Sequence, residues 1–354
     1  MHARRGTICS SHFRFTGILC LGLVLLLAIS GYAAPAADAP APELRSAQQF
    51  AKVRARAEAG SPHDEFLMGY AYARGLQEPQ DLAQALSWYT LAADRGDPGA
   101  ITELGRMYAL GLGVKQNYPL ALNWFRRAAS EGYPAAQTDL ALMYSRGLGV
   151  KEDPQAAVVW WREAAEQNYA PAESNLGVAY LNGTGVPQDA GQAVHWLRDA
   201  AEKGLATAQF NLGSCYELGQ GVARDLTVAA QYYRRAALQG HNEAQNNLGM
   251  LYEGGRGVTQ DVMEALKLYL LSAQNGNPKA LINLSNVFRS GRGVQADPVL
   301  AYTWLEAAAM RGEDVGEALD AQSRSLTPQQ VKQAQQRAAE WIAKQHFSSV
   351  SMFR

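Results

Sequence analysis

The side chains able to do chemistry are scattered along this chain in no catalytic spacing. The six histidines, His2, His12, His63, His195, His241 and His346, stand apart. None belongs to a His-Glu-x-x-His pair or a His/Cys cluster of the kind that holds zinc. No Ser-x-x-Lys occurs, so a serine acyl-enzyme of the penicillin-binding type has no nucleophile motif. Gly183-Thr184-Gly185 and Gly219-Gln220-Gly221 have the look of phosphate loops. A phosphate loop, however, follows a strand and runs on to further glycines or Lys-Ser/Thr, whereas a helical pattern precedes each of these. They read as turns. Cys215 occupies a slot filled elsewhere by Met107, Met143, Ala179, Leu251 and Val287, so its thiol is expected to be buried and inert. The residues therefore imply no catalytic set, no metal and no cofactor.

What repeats is structural. A 36-residue unit runs seven times from Ser61 to Gly312, marked by Tyr72, Tyr108, Tyr144, Tyr180, Tyr216 and Tyr252, with Phe288 in the last copy. A glycine stands three residues after each, among them Gly111, Gly147 and Gly183. In Asp97–Gly132, Ala100, Leu104, Met107 and Tyr108 form one helical stripe and Gly111 ends it as a left-handed residue. Gly105 is expected to let a neighbouring helix approach. Asn117, Asp in the other six units, caps a second helix that presents Ala121, Trp124, Phe125, Ala128 and Ala129. Trp124, Trp160 and Trp196 are expected to fill the space between units. Neither helix can bury its stripe alone, so units must stack. The chain reads as all-α, with repeats at 61–96, 97–132, 133–168, 169–204, 205–240, 241–276 and 277–312.

Residues 43–60 read as an N-terminal capping helix with Phe50, Val53 and Ala57 inward, and 313–345 as a C-terminal capping region, with a tail at 346–354. Thr327-Pro328-Gln329-Gln330 is a capping box. Residues 1–36 read as an export signal: Arg4, Arg5 and Arg14 flank the apolar run Ile18–Ile29, and small residues follow for cleavage near 33/34 or 36/37. An uncleaved anchor is the alternative, because the uncharged stretch extends from Phe15 to Ala37. Residues 37–42 form an Ala/Pro leader. Cys9 and Cys20 lie in the signal, which leaves Cys215 without a disulfide partner. The formal net charge of −1, with no long basic run, excludes an extended nucleic-acid surface.

Where the units differ, a partner surface is expected. The sixth, tenth and thirteenth positions of each unit lie off the core stripe; in the middle units they include Leu142, Val178, Leu181 and Phe210, with Met250 further on and Arg106 and Glu217 at the rim. Apolar side chains there suggest a patch for a protein or peptide, with internal burial by the curvature of the stack as the other reading. The recurring Asn175, Asn211, Asn247 and Asn283 read chiefly as bonds across repeats, with clamping of a peptide backbone as the other reading.

The stretch Ala136–Val150, AQTDLALMYSRGLGV, carries the consensus most fully, and the unit resembles the Sel-one-like repeat, a relative of the tetratricopeptide repeat. The resemblance implies a right-handed α-solenoid with a concave inner face, acting as an adaptor or scaffold. Combined with the export signal, it implies a non-enzymatic scaffold in the bacterial envelope, most simply the Gram-negative periplasm, engaging a protein partner and no nucleic acid or metal. Membrane contact is expected only if the signal remains as an anchor. A periplasmic immunity protein against a secreted lipase or hydrolase is the alternative, and a cell-wall or β-lactam hydrolase the alternative of another class.

Overall fold

The computed structural model describes residues 42–351. The expected signal, its cleavage site, Cys9, Cys20 and the leader up to residue 41 lie outside the described residues. Among the described residues the chain is helical with no strand. It divides into two compact units, one ending at Phe125 and one beginning at Arg126. Each is built from helix pairs.

A short 3-10 turn, Pro42–Leu44, leads into α1 (Ala47–Glu58). The first two repeats are α2 (Pro62–Arg74) with α3 (Leu82–Asp94), and α4 (Pro98–Leu110) with α5 (Tyr118–Ser130). The next three pair α6 (Pro134–Arg146) with α7 (Pro154–Glu166), α8 (Ala170–Asn182) with α9 (Ala190–Glu202), and α10 (Ala206–Leu218) with α11 (Leu226–Leu238). The last two pair α12 (Asn242–Gly254) with α13 (Val262–Gln274), and α14 (Lys279–Ser290) with α15 (Pro298–Met310). The chain then continues through α16 (Gly316–Ser323) and α17 (Pro328–Ser351).

Local chemistry sets each boundary. First helices stop at Gly111, Gly147 and Gly183 with φ of 73°, 64° and 69°, conformations that cost a side-chain-bearing residue about 1–2 kcal/mol. Second helices start where Asp153 accepts from the Ala156 N–H at 2.9 Å, or Asn117 from the Leu120 N–H at 3.1 Å. The cap's own N–H donates to the carbonyl of the ladder tyrosine: Asn117 to Tyr108 at 2.8 Å, Asp153 to Tyr144 at 2.9 Å, Asp189 to Tyr180 at 3.0 Å. The tyrosine ladder thus marks a backbone crossing that ties the two helices at their turn. Gln116 and Gln188 satisfy orphan carbonyls at the ends of first helices, bonding Ala109 O at 2.8 Å and Leu181 O at 2.6 Å.

Within a repeat the helices close on a glycine. A Cβ at Gly105 would lie 2.5 Å from the Phe125 ring, and one at Gly213 or Gly249 would lie 2.9 Å from Tyr233 or 2.7 Å from Tyr269. These ring positions lie in the core: Tyr89, Tyr233 and Tyr269 are wholly buried, and Phe125 and Trp161 nearly so. Each such side chain contributes roughly 1.5–3 kcal/mol by burial. The tryptophans expected between units sit at the edge of this core, Trp160 and Trp196 packing on the cluster of Ala141, Trp161 and Leu176. Trp124, Trp160 and Trp196 are only half-buried, and the neighbouring position is the true core slot.

The ends depart from the repeat for visible reasons. In the first repeat, Gln77 stands at φ 63° where the next two units have Gly113 and Gly149, and its amide reaches Leu44 O at 3.4 Å. Glu78 pairs with Arg54 of α1 at 2.6 Å. Together they tie the entry segment to the array, with Phe50, Val53 and Ala57 buried beneath it. At the other end Thr327 and Gln330 bond reciprocally at 2.9 and 3.3 Å, Ala334 is buried, and Ala338, Trp341 and Ile342 pack on the cluster around Leu284 and Ala308. Trp341 meets Trp304 edge-on at 5.5 Å. α17 continues to Ser351, into the segment expected as a tail, because no glycine or proline interrupts it after Pro328.

Candidate functional site

The first helices present the residues expected to bind a partner, but not as one exposed patch. The sixth position is closed in four units, where Thr102 is 1% exposed and Thr138, Ser174 and Asn246 are also buried, and half-buried in the others, at Phe66, Phe210 and Ile282. The Thr102 and Thr138 hydroxyls bond back to the carbonyls of Pro98 and Pro134, both at 2.7 Å. Leu142 is buried at 5%. The expectation that these side chains line an open groove is corrected, because successive first helices lie close enough to cover them. Val178 and Leu181 are half-buried against the cluster containing Leu197, Leu212 and Cys215, and Met250 against that of Tyr269 and Leu284. Phe210 stacks on His241 at 4.7 Å and tilts against Tyr233. At the intended rim, Arg106 pairs with Glu103 at 2.7 Å, and Glu217 accepts the Tyr233 hydroxyl at 2.7 Å. Asn175, Asn211, Asn247 and Asn283 share this face half-buried, and Asn283 bonds Asn246 of the preceding repeat at 2.8 Å.

Two polar networks escaped sequence reasoning. One is a clasp of fixed spacing: Arg126, Arg162, Arg198 and Arg234 donate to the hydroxyls of Tyr144, Tyr180, Tyr216 and Tyr252, each eighteen residues on, at 3.0, 3.0, 3.4 and 2.6 Å. Arg54 repeats the contact with Tyr72 at 3.4 Å, which shows that α1 stands where a second helix would. The other links the start of a first helix to the end of its own second helix. Gln167 donates to Gln137 at 2.8 Å, Gln239 to Gln209 at 2.9 Å and Asn275 to Gln245 at 3.0 Å; Lys203 and Arg95 pair with the buried Glu173 and Glu65. Gln209 and Gln245 also donate to Ala201 O and Ala237 O of the preceding helix. The arginines recur with the period of the tyrosines, and that shared period was the legible signal.

The Sel1 repeat family model matches seven consecutive segments, at residues 62–97, 98–133, 134–169, 170–205, 206–241, 242–277 and 278–313. The chain is a member of the Sel1 repeat family. Among solved structures, a protective antigen of uropathogenic Escherichia coli with an SLR fold is 33% identical, with a TM-score of 0.65 over 82% of this chain; the match spans 64% of that longer chain. A Sel1 repeat protein from Oxalobacter formigenes is 34% identical, with a TM-score of 0.62 over 71% of this chain and 97% of its own. An immunity protein of Pseudomonas aeruginosa is 22% identical with a TM-score of 0.41, over 68% of this chain and 82% of its own, too distant to support any argument about role. No curated protein matches the chain.

These Sel1 repeats form an α-solenoid of the kind that mediates protein–protein interaction, and the family is generally non-catalytic. Among the described residues no group of three or more His, Cys, Asp or Glu side chains is placed to hold a metal ion, and no helix is long and apolar enough to cross a membrane. Cys215 is 1% exposed, and burial pushes its thiol up to about 11, far from a thiolate at neutral pH. Burial likewise raises the Glu173 carboxyl, against the pull of Lys203.

His241 caps a helix from a buried position. Its Nδ1 caps α12 by accepting the Ala244 N–H at 3.3 Å while Phe210 covers the ring. Glu243 Oε2 lies 3.4 Å from the same nitrogen and favours protonation, but burial dominates and holds the imidazole below its usual range. The unfolded chain therefore binds the proton more tightly, so this contribution is present above the unfolded pKa of about 6.5 and is lost as pH falls through the lower folded value. His241→Asn keeps a cap that does not titrate. Thermal melts recorded at about pH 7.5 and about pH 5.5 should show a smaller loss of Tm in the variant; an equal loss in both would remove His241 from the acid response.

Proposed function

We propose that this chain is an exported, non-enzymatic interaction protein of the bacterial envelope, and that its first-helix face engages a protein partner. The observation that supports this is the seven-fold Sel1 array, whose half-buried side chains at the first helices, Val178, Leu181, Phe210 and Met250, vary in chemistry from repeat to repeat. Repeat-protein faces of this kind recognise a partner through side chains displayed at equivalent positions, while the rest of each repeat maintains the stack. The basic flank and apolar run at the N-terminus support export to the periplasm.

The test uses the chain from residue 37 onward as bait in a periplasmic extract, with Val178→Asp and Phe210→Asp as variants. Capture of a defined envelope protein, reduced by about tenfold or more in the variants at unchanged helical circular dichroism, is the expected result. Capture that both variants retain would remove this face. Inhibition of a secreted lipase or hydrolase by the purified chain would make its role that of an immunity protein.

A further inference from the structure

The four arginines that clasp the tyrosine ladder have a property their structural task does not require. Arg126, Arg162, Arg198 and Arg234 each give one N–H to a tyrosine hydroxyl, and none forms an ion pair with a carboxylate among the described residues. The equivalent Arg54 is instead neutralised by Glu78 at 2.6 Å. Nor does the ladder need the cation: eighteen residues before Tyr108 stands Thr90. Arg126 and Arg234 are exposed and Arg162 and Arg198 half-buried, so none of the four side chains is enclosed in the core. Arg126 and Arg234 also lie over the tyrosine rings, both 5.9 Å from the centroid. A guanidinium fixed by a hydroxyl and a ring has lost much of its rotamer entropy before a ligand arrives, which is the advantage arginine has for two-pronged carboxylate binding.

From this we infer that the arginine row on the second helices is a docking surface for an acidic, extended segment of a protein partner. The inference deepens the interaction reading above and rests on it, while placing the contact on the other helix of each repeat. The four arginines recur at 36-residue intervals on successive second helices, so an extended segment crossing those helices meets one guanidinium per repeat. A continuous polyanion fits less well, because Glu166 and Glu202 stand one turn beyond Arg162 and Arg198 and would repel charges placed beside them. Val159 and Leu238, 51% and 83% exposed, lie on the same helices beside Arg162 and Arg234 and offer apolar contact to a polypeptide.

The probe is a fluorescent peptide of repeating Glu-Ser-Ser, compared with its Gln-Ser-Ser counterpart and with inorganic polyphosphate, by anisotropy at about 0.05 M and about 0.5 M salt. The acidic peptide is expected to bind at least about tenfold more tightly than the neutral one at low salt, and to weaken as salt rises. R162Q/R198Q should weaken it by about tenfold or more, and the charge-matched K115Q/K151Q should not. If R162Q/R198Q melts below the assay temperature, the exposed pair R126Q/R234Q takes its place. Absence of salt-sensitive peptide binding, unchanged binding by the arginine variants, or tighter binding of polyphosphate than of the peptide would each overturn the inference. V178D and F210D should retain the peptide. Loss of peptide binding with envelope-protein capture intact therefore removes the row alone, and the converse removes only the first-helix face.

Discussion

Trp161→Ala is expected to destabilise the chain by about 3–5 kcal/mol, the range for removing a large aromatic side chain from a packed core. Trp161 is 6% exposed within the cluster formed by Ala141, Ala157, Ala164, Ala172 and Leu176, so small alanines surround the space it fills and cannot close over a cavity. Its neighbour Trp160 is half-buried at the edge of the same cluster, and Trp160→Ala should cost clearly less. Trp161→Phe should also cost less than Trp161→Ala, because the buried Nε1 donates to no protein acceptor and its removal forfeits no hydrogen bond. Urea melts of the three variants check the order. Equal losses at 160 and 161 would mean that the assignment of the core slot is wrong.

Gly185→Ala is expected to be comparably damaging, at about 3–5 kcal/mol, although it adds a single carbon. Two costs combine there. The residue has φ of +73°, and its new Cβ would lie 2.1 Å from the Pro154 carbonyl oxygen, backbone of the preceding repeat that cannot rotate away. Gly204 separates the two costs, since it has φ of +95° and a Cβ added there would meet nothing within 4 Å. Gly204→Ala should therefore show backbone strain alone, about 1–2 kcal/mol. Similar melting temperatures for the two variants would show that the turn is free to move away from the neighbouring repeat. The contact also explains the repeated Gly-x-Gly: its second glycine admits the adjacent backbone, and phosphate chemistry has no part in it.

The elements legible in the sequence are those decided within a few residues. A left-handed stop at Gly147, an aspartate cap at Asp153 and the reciprocal bonds of Thr327 and Gln330 depend on φ and on side chains reaching their own backbone. The inert setting of Cys215 was legible too, because it follows from register within one helix. The seven-fold period, and with it membership of the Sel1 repeat family and an all-helical stack, required no more than these local signals repeated at constant spacing.

Tertiary structure decided what depends on the rotation of one repeat against the next. Trp160 and Trp161 are adjacent on one helix, and only the packing angle determines which of them enters the core. The same rotation covers Thr102, Thr138, Ser174 and Leu142, which a single helix would leave in water. It also brings Arg162 to Tyr180 across eighteen residues, while packing within a repeat brings Gln239 to Gln209 across thirty, distances over which helical periodicity carries no information. The sequence by itself determined that the repeats must stack, since neither helix of a unit can bury its stripe alone. Which faces remain open to a partner was decided by side-chain volumes meeting between repeats, where Phe210 comes to lie under His241 and the arginines of the second helices stay outside the core.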